Sequence, residues 1–304
     1  MATPGRLIPG RRPGVRDMQL VTLALLLGCT ASEAPQVAPP PVIVFDWLRN
    51  GNRDIYRATL DGTDKVRLTS NPGDDQHPSE AAGIVVFTSY RDGNGELYAV
   101  PSAGGAEQRL TTTAANETQP ALSPDGRHLA YLSDETGVPK LWMSAADGTN
   151  PQPLTAGFGF AGSIEASPSW APSGDRIVFV STANGRAGLF ILTLGAGAPT
   201  PLVADSNTAV EPSWSPDGRL VAFASDRTGV TNIFTVDVAT LQIRQITTDA
   251  TTAGQPAWLA DGRLVYTSWN GGTPRLRWRD TTVSGSSVTI DLGTGDAQHA
   301  SAMF

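Results

Sequence analysis

One block recurs six times along this 304-residue chain. It reads IVFDW at 43–47, IVVFTS at 84–89, HLAYLS at 128–133, RIVFVS at 176–181, LVAFAS at 220–225 and RLVYTS at 263–268. The aromatic anchors are Phe45, Phe87, Tyr131, Phe179, Phe223 and Tyr266, spaced 42, 44, 48, 44 and 43 residues apart. That period is the length of one four-stranded propeller blade. A single such unit cannot bury both of its faces, so the units must stack on one another.

Each unit has the same internal order. A tight turn precedes the anchor strand: SPDGR at 123–127, APSGD at 171–175, SPDGR at 215–219 and LADGR at 259–263. Proline presets φ, the aspartate caps its own turn and glycine accepts a positive φ, which makes a hairpin. After the anchor comes a polar turn, SDETG at 133–137 or SDRTG at 225–229. A third strand alternates apolar and polar residues (DIYRA 54–58, ELYAV 96–100, KLWMS 140–144, NIFTV 232–236), and a fourth ends near Leu-Thr or Ile-Thr. Period-two alternation with a turn every eight to twelve residues is an all-β pattern. The repeated Asp125, Asp134, Asp217, Asp226 and Asp261 therefore read as turn caps. Trp170, Trp214 and Trp258 share one slot on the first strand and read as wedges between blades.

The pattern SPDGR, anchor strand, SDR-G, hhIY, DG, LT resembles the repeat of TolB and related periplasmic propellers, over nearly all of 42–304. The resemblance implies an all-β, six-bladed β-propeller of four-stranded antiparallel blades. Propellers of this kind serve in transport-linked proteins, peptidase gating domains and sugar lyases, so the fold alone does not name a function. The chain ends in Gln298-His299-Ala300-Ser301, which echoes Gln76-His77-Pro78-Ser79, and it enters at an anchor strand with no first strand before it. The C-terminal strand is thus expected to close the ring and remove the exposed sheet edges.

Ahead of the repeat, MQLVTLALLLG at 18–28 is too short to span a bilayer and suits a signal h-region behind Arg6, Arg11, Arg12 and Arg16. It ends in Leu26-Leu27-Gly28-Cys29, which resembles a bacterial lipobox, and the resemblance implies acylation of Cys29 as the mature N-terminus. Three segments are expected: a lipoprotein signal peptide at 1–28, a lipid-anchored proline-rich tether at 29–41 and the propeller at 42–304. Thr30, in place of an Asp, favours the outer over the inner membrane. The lipid is then the sole membrane contact of a periplasm-facing protein, and a monomer is expected.

Chemistry is sparse. A lone Cys excludes an internal disulfide and multi-Cys metal sites. No HExxH, GxSxG or GxxxxGK[ST] occurs. GFGFAG at 157–162 matches GxGxxG, but between strands rather than between a strand and a helix, which makes it an insertion. Without the first 28 residues, 18 basic and 28 acidic side chains remain, a net charge near −10 that repels nucleic acid.

The residue before the inner-strand proline is more informative. It is His77, Gln119, Ser167, Glu211, Gln255 and, by equivalence, His299. Inner strands line a propeller's channel, so these six are expected to ring its mouth. The plainer reading is a solvated polar rim. The sharper one is a ligand or divalent-metal site, with His77 and His299 on neighbouring blades and Glu211 across the channel, reached through a bridging water. Oligogalacturonate lyases, propellers of similar repeat, hold a His/Gln metal cluster at such a mouth. Phe158 and Phe160, flanked by glycines in the 157–165 insertion, are either anchors for a partner or caps on their own blade.

Two functions follow. The first is a non-catalytic binding or scaffold propeller that engages an envelope protein or peptide on its channel face and needs no cofactor. The second is a metal-dependent lyase or hydrolase acting on a sugar polymer or peptide at the channel mouth.

Overall fold

The computed structural model describes residues 40–248, 251–282 and 286–302. The expected signal peptide, Cys29 and the tether up to residue 39 lie outside the described residues. From Pro40 onward the chain forms a single compact unit.

Among the described residues, twenty-four strands make six antiparallel sheets of four. Blades 2 to 6 are built from consecutive strands over 75–109, 117–153, 165–203, 209–245 and 252–289. Blade 1 is assembled from both ends. Its strands β1 (Val42–Arg49), β2 (Asn52–Thr59) and β3 (Val66–Arg67) are completed by the last strand, β24 (Asp296–Ala302). β24 lies antiparallel to β1, with Ile43 opposite Ala302 and Trp47 opposite Ala297. The ring closes as expected.

The core lies between blades rather than within them. Among the described residues, the buried apolar side chains fall into six clusters, each shared by two neighbouring blades. Alternation explains this, because successive side chains on a strand point to opposite faces of the sheet. Phe45 enters the seam with blade 6, whereas its neighbour Val44 enters the seam with blade 2. All six aromatic anchors pack toward the preceding blade. Trp170, Trp214 and Trp258 do the same, and the indole N–H groups of Trp170 and Trp258 donate to the carbonyls of Ala121 and Ser213 in the preceding blade, at 2.8 and 3.2 Å.

The aspartates divide into two uses. Asp125, Asp217 and Asp261 accept from the backbone N–H two residues on, capping their turns. Asp134 and Asp226 instead accept from the N–H groups of Asn116 and Thr208, which fixes the approach to the inner strand of their own blade.

Each inner strand carries a bulge. In β4 (Asp75–Ala81), Gln76 pairs with Thr88 and Ser79 with Val86, so His77 and Pro78 together face Phe87. The same skip occurs in β8 (Glu117–Leu122), β12 (Glu165–Trp170), β16 (Ala209–Trp214), β20 (Thr252–Trp258) and β24. A bulge leaves a residue outside the ladder, and proline, with no N–H to satisfy, sits there without loss.

Candidate functional site

The bulge sets the direction of the six predicted residues. His77, Gln119, Ser167, Glu211, Gln255 and His299 all have positive φ, between 46° and 54°. Non-glycine residues pay for that conformation with backbone strain, and such strain persists where the surrounding structure imposes it. Here the strained residue stands in the same slot of every blade. All six are half-buried and line one cavity of about 200 Å³ at the channel mouth. Below them Pro78, Pro120, Pro168, Pro212, Pro256 and Ala300 form a waist. A second cavity of about 330 Å³ lies beyond it, lined by Trp170, Trp214 and Trp258 and by serines such as Ser79 and Ser301.

The mouth is bonded from blade to blade rather than merely wetted. Gln119 Oε1 accepts from the N–H of Ser167 at 2.6 Å. Glu211 Oε2 accepts from the N–H of Gln255 at 2.7 Å, and Gln255 Oε1 from the N–H of His299 at 3.2 Å. Each of these three strained N–H groups thus finds an oxygen on the blade before it. A histidine has no such oxygen. In the two histidine blades the acceptor comes from the residue after the aromatic anchor: Asp46 Oδ2 accepts from the N–H of His77 at 3.3 Å, and Thr88 Oγ1 from the N–H of Gln119 at 3.1 Å.

Asp46 was not singled out by the sequence analysis, and it organises one side of the site. It is fully buried, accepts from Arg53 and lies 2.7 Å from His299 Nδ1. Burial alone would raise its pKa, but His299, Arg53 and His77 outweigh that and hold it below the ordinary value. As an ionised acceptor it places a proton on His299 Nδ1, which leaves Nε2 to accept from the Gln255 amide at 2.7 Å. A sequence signal for Asp46 exists in the column after the anchor, which reads Asp46, Thr88, Leu132, Val180, Ala224 and Thr267.

The two imidazoles meet, with ring centroids 4.1 Å apart. His77 is pushed down to about 3, by burial first and then by His299, so it is neutral at physiological pH. Its Nδ1 is shut off from solvent without a hydrogen-bond partner. Burial also raises Glu211, with the Gln255 N–H and His299 acting against it. For His77, three blades away, the expectation that Glu211 lies across the channel holds, and for His299 it is corrected. Its strand is two blades from that of His299, and the two are joined by the Gln255 side chain and backbone rather than by a required water. Among the described residues, no three His, Cys, Asp or Glu side chains group in a way that could hold a metal ion. The donor set read from sequence thus converges only as far as the histidine pair.

The insertion arrives at the start of β12, the end at which Ser167 lies. Its two aromatics separate. Phe158 turns inward, edge-on to Phe190 and Phe179 at 5.3 and 6.2 Å. Phe160 is 54% exposed. Lys140 ties the loop down, donating to the Phe158 carbonyl at 3.0 Å and to Ser163 Oγ at 3.1 Å. The segment is therefore a pinned turn, not the loose insertion its glycines suggest.

A six-bladed propeller with a polar channel mouth is the class that this geometry defines. The TolB β-propeller domain family matches residues 27–157 and 140–302, and the chain belongs to that family. None of the curated proteins matches it in sequence. Among solved structures, TolB from Acinetobacter baumannii superposes with a TM-score of 0.74 at 17% identity, covering 86% of this chain and 66% of that one. A putative TolB from Agrobacterium tumefaciens gives 0.69 at 20% identity, covering 85% and 90%. A puromycin hydrolase S511A mutant complexed with PGG gives 0.59 at 19% identity, covering 85% of this chain and 46% of that one. At these identities the likeness is one of fold. The chain spans just under two thirds of the Acinetobacter protein.

Proposed function

We propose that this chain is a non-catalytic binding propeller of the cell envelope and takes a protein or peptide partner on the channel face that carries the ring. The observation behind this reading is the mouth itself: an open cavity of about 200 Å³ rimmed by six polar side chains, five with their backbone N–H groups already satisfied by the preceding blade or strand. Such a rim is rigid and presents side-chain groups outward, as a docking surface requires. No nucleophile–base pair or hydrolytic motif accompanies it among the described residues. Membership of the TolB family supports the reading in general terms. Phe160, exposed beside the same end of β12, adds an apolar contact.

The h-region and Gly28-Cys29 support export, lipidation at Cys29 and a periplasm-facing position, with the outer membrane favoured by Thr30. Crosslinking in native envelopes followed by capture of this chain tests the whole reading. A partner lost on substituting ring residues supports it, and capture indifferent to every ring and Phe160 substitution overturns it. The close imidazole pair favours one second reading, a metal-assisted enzyme, which elemental analysis of untagged protein decides.

A further inference from the structure

Three polar groups at the mouth are not consumed by the blade-to-blade bonds: the His77 imidazole, one oxygen of Glu211 and the amide N–H₂ of Gln119, whereas the hydroxyl of Ser167 donates to Gln119 Oε1 at 3.5 Å. Of these, Glu211 is the one that can carry a negative charge. Its carboxylate lies over Gly254, where an added Cβ would stand 2.7 Å from Oε2, so the missing side chain is what lets it reach the Gln255 N–H. That N–H donates to the carboxylate at 2.7 Å, and no Lys or Arg is among the described residues lining the cavity. Arg53, which answers Asp46, is engaged with that second carboxylate. A half-buried carboxylate with no Lys or Arg beside it is costly to ionise, which is why burial raises its pKa, and a bound cation would offset that cost. The proline waist beneath offers apolar walls for a hydrocarbon stem.

We infer that the channel mouth is a pocket for a single cationic side chain, a lysine ammonium or arginine guanidinium borne by the partner protein, with Glu211 as its counter-ion and the His77 imidazole, three blades away across the mouth, as a neutral polar group on the opposite wall. This rests on the binding reading above and names what the mouth recognises. The neutrality of His77 supports it, because a second positive charge beside the site would repel the ligand. The chain's net charge of −7 draws basic partners toward it in general, while Glu211 selects the point of contact.

The test titrates the full-length protein with acetylated, amidated pentapeptides, Gly-Gly-X-Gly-Gly, in which X is lysine, arginine, norleucine or glutamate. Binding is read by calorimetry and by the side-chain resonances of His77 and His299. The lysine and arginine peptides are expected to bind at least about tenfold more tightly than norleucine, the scale of one charge-assisted contact, and the glutamate peptide not at all. Glu211→Gln should remove the preference without lowering the melting temperature. Gly254→Ala, which pushes the carboxylate aside, should weaken it independently, and Phe160→Ser should leave it intact. Equal binding of lysine and norleucine, no binding of any peptide, a preference unchanged in both Glu211→Gln and Gly254→Ala, or a stoichiometric divalent ion in the purified protein would each overturn the inference. Partner capture in envelopes that persists in those two variants sinks the cation pocket while sparing the binding propeller. Absence of any captured partner for the wild type removes the propeller reading itself.

Discussion

Removing the Asp46 carboxylate is expected to cost more than any other single change at the mouth. Its oxygens serve three donors: the Arg53 guanidinium, His299 Nδ1 and the His77 N–H. In Asp46→Ala, Arg53 loses its counter-ion while its side chain is only 13% exposed, and two further donors lose their acceptor. Breaking a buried pair by deleting one partner costs about 3–5 kcal/mol, and the slight exposure of Arg53 places this case near 3. At about 2–4 °C per kcal/mol for a domain of this size, the melting temperature should fall by about 6–12 °C. Asp46→Asn keeps an acceptor and the shape, and should lose roughly half as much.

Two readouts separate this account from a general packing defect. First, the folded pKa of Asp46 lies below its ordinary 3.8, so its stabilisation is complete above that value and disappears as pH falls through the folded value. The difference in stability between wild type and Asp46→Asn should therefore be constant near neutrality and shrink below about pH 4. Second, nitrogen NMR should show His299 as the Nδ1–H tautomer in the wild type and a mixture in Asp46→Asn. A loss under about 1 kcal/mol in Asp46→Ala, or an unchanged His299 tautomer in Asp46→Asn, would refute the reasoning.

The aromatics of the insertion should behave oppositely. Phe158→Ser removes a ring packed against Phe179 and Phe190 and should cost about 2–3 kcal/mol, whereas Phe160→Ser stays within about 0.5 kcal/mol and weakens partner capture. Equal stabilities for the two variants would contradict the inward packing of Phe158. Deleting residues 296–304 strips β24 from β1 and opens the ring, so unfolding should lose its single cooperative transition, and a truncated chain that melts like the intact one would rule out closure as the source of cooperativity. Cys29→Ser should give unlipidated protein, and wild type found wholly soluble with an unmodified Cys29 thiol would end the lipoprotein proposal. Metal analysis of wild type beside His77→Ala/His299→Ala should find no ion specific to the histidine pair, and a stoichiometric Mn, Zn or Ni lost in the double mutant would favour the enzyme reading instead.

The repeat was legible because blade geometry demands the same residue type at the same place six times. The anchors, the turn aspartates, the tryptophan wedges and the six mouth positions all announce themselves by column, the anchors and wedges falling at equivalent seams between blades and the mouth positions meeting at one cavity. What the columns concealed was exchange between them. Gln119, Glu211 and Gln255 look like a rim of solvated polar groups, yet each gives an oxygen to the next blade's strained N–H. Imidazole nitrogen does not take that role here, and the acceptor moves one strand outward to Asp46 and Thr88. The polar residues Asp46 and Thr88 in this slot, where Leu132, Val180 and Ala224 stand in three other blades, accompany the histidines of their own blades, but Thr267 is also polar beside Gln255, so the column alone does not mark them. The insertion was opaque for a related reason: the lysine that pins it, Lys140, stands on another strand, and no local pattern links it to Phe158. In a repeat fold, residues that fill a shared slot are explained by the blade, and what sets one copy apart must be explained by its neighbours or by a ligand. His77, His299 and Asp46 are explained by one another. Glu211, which lines the cavity among residues that include no Lys or Arg, is left to a partner.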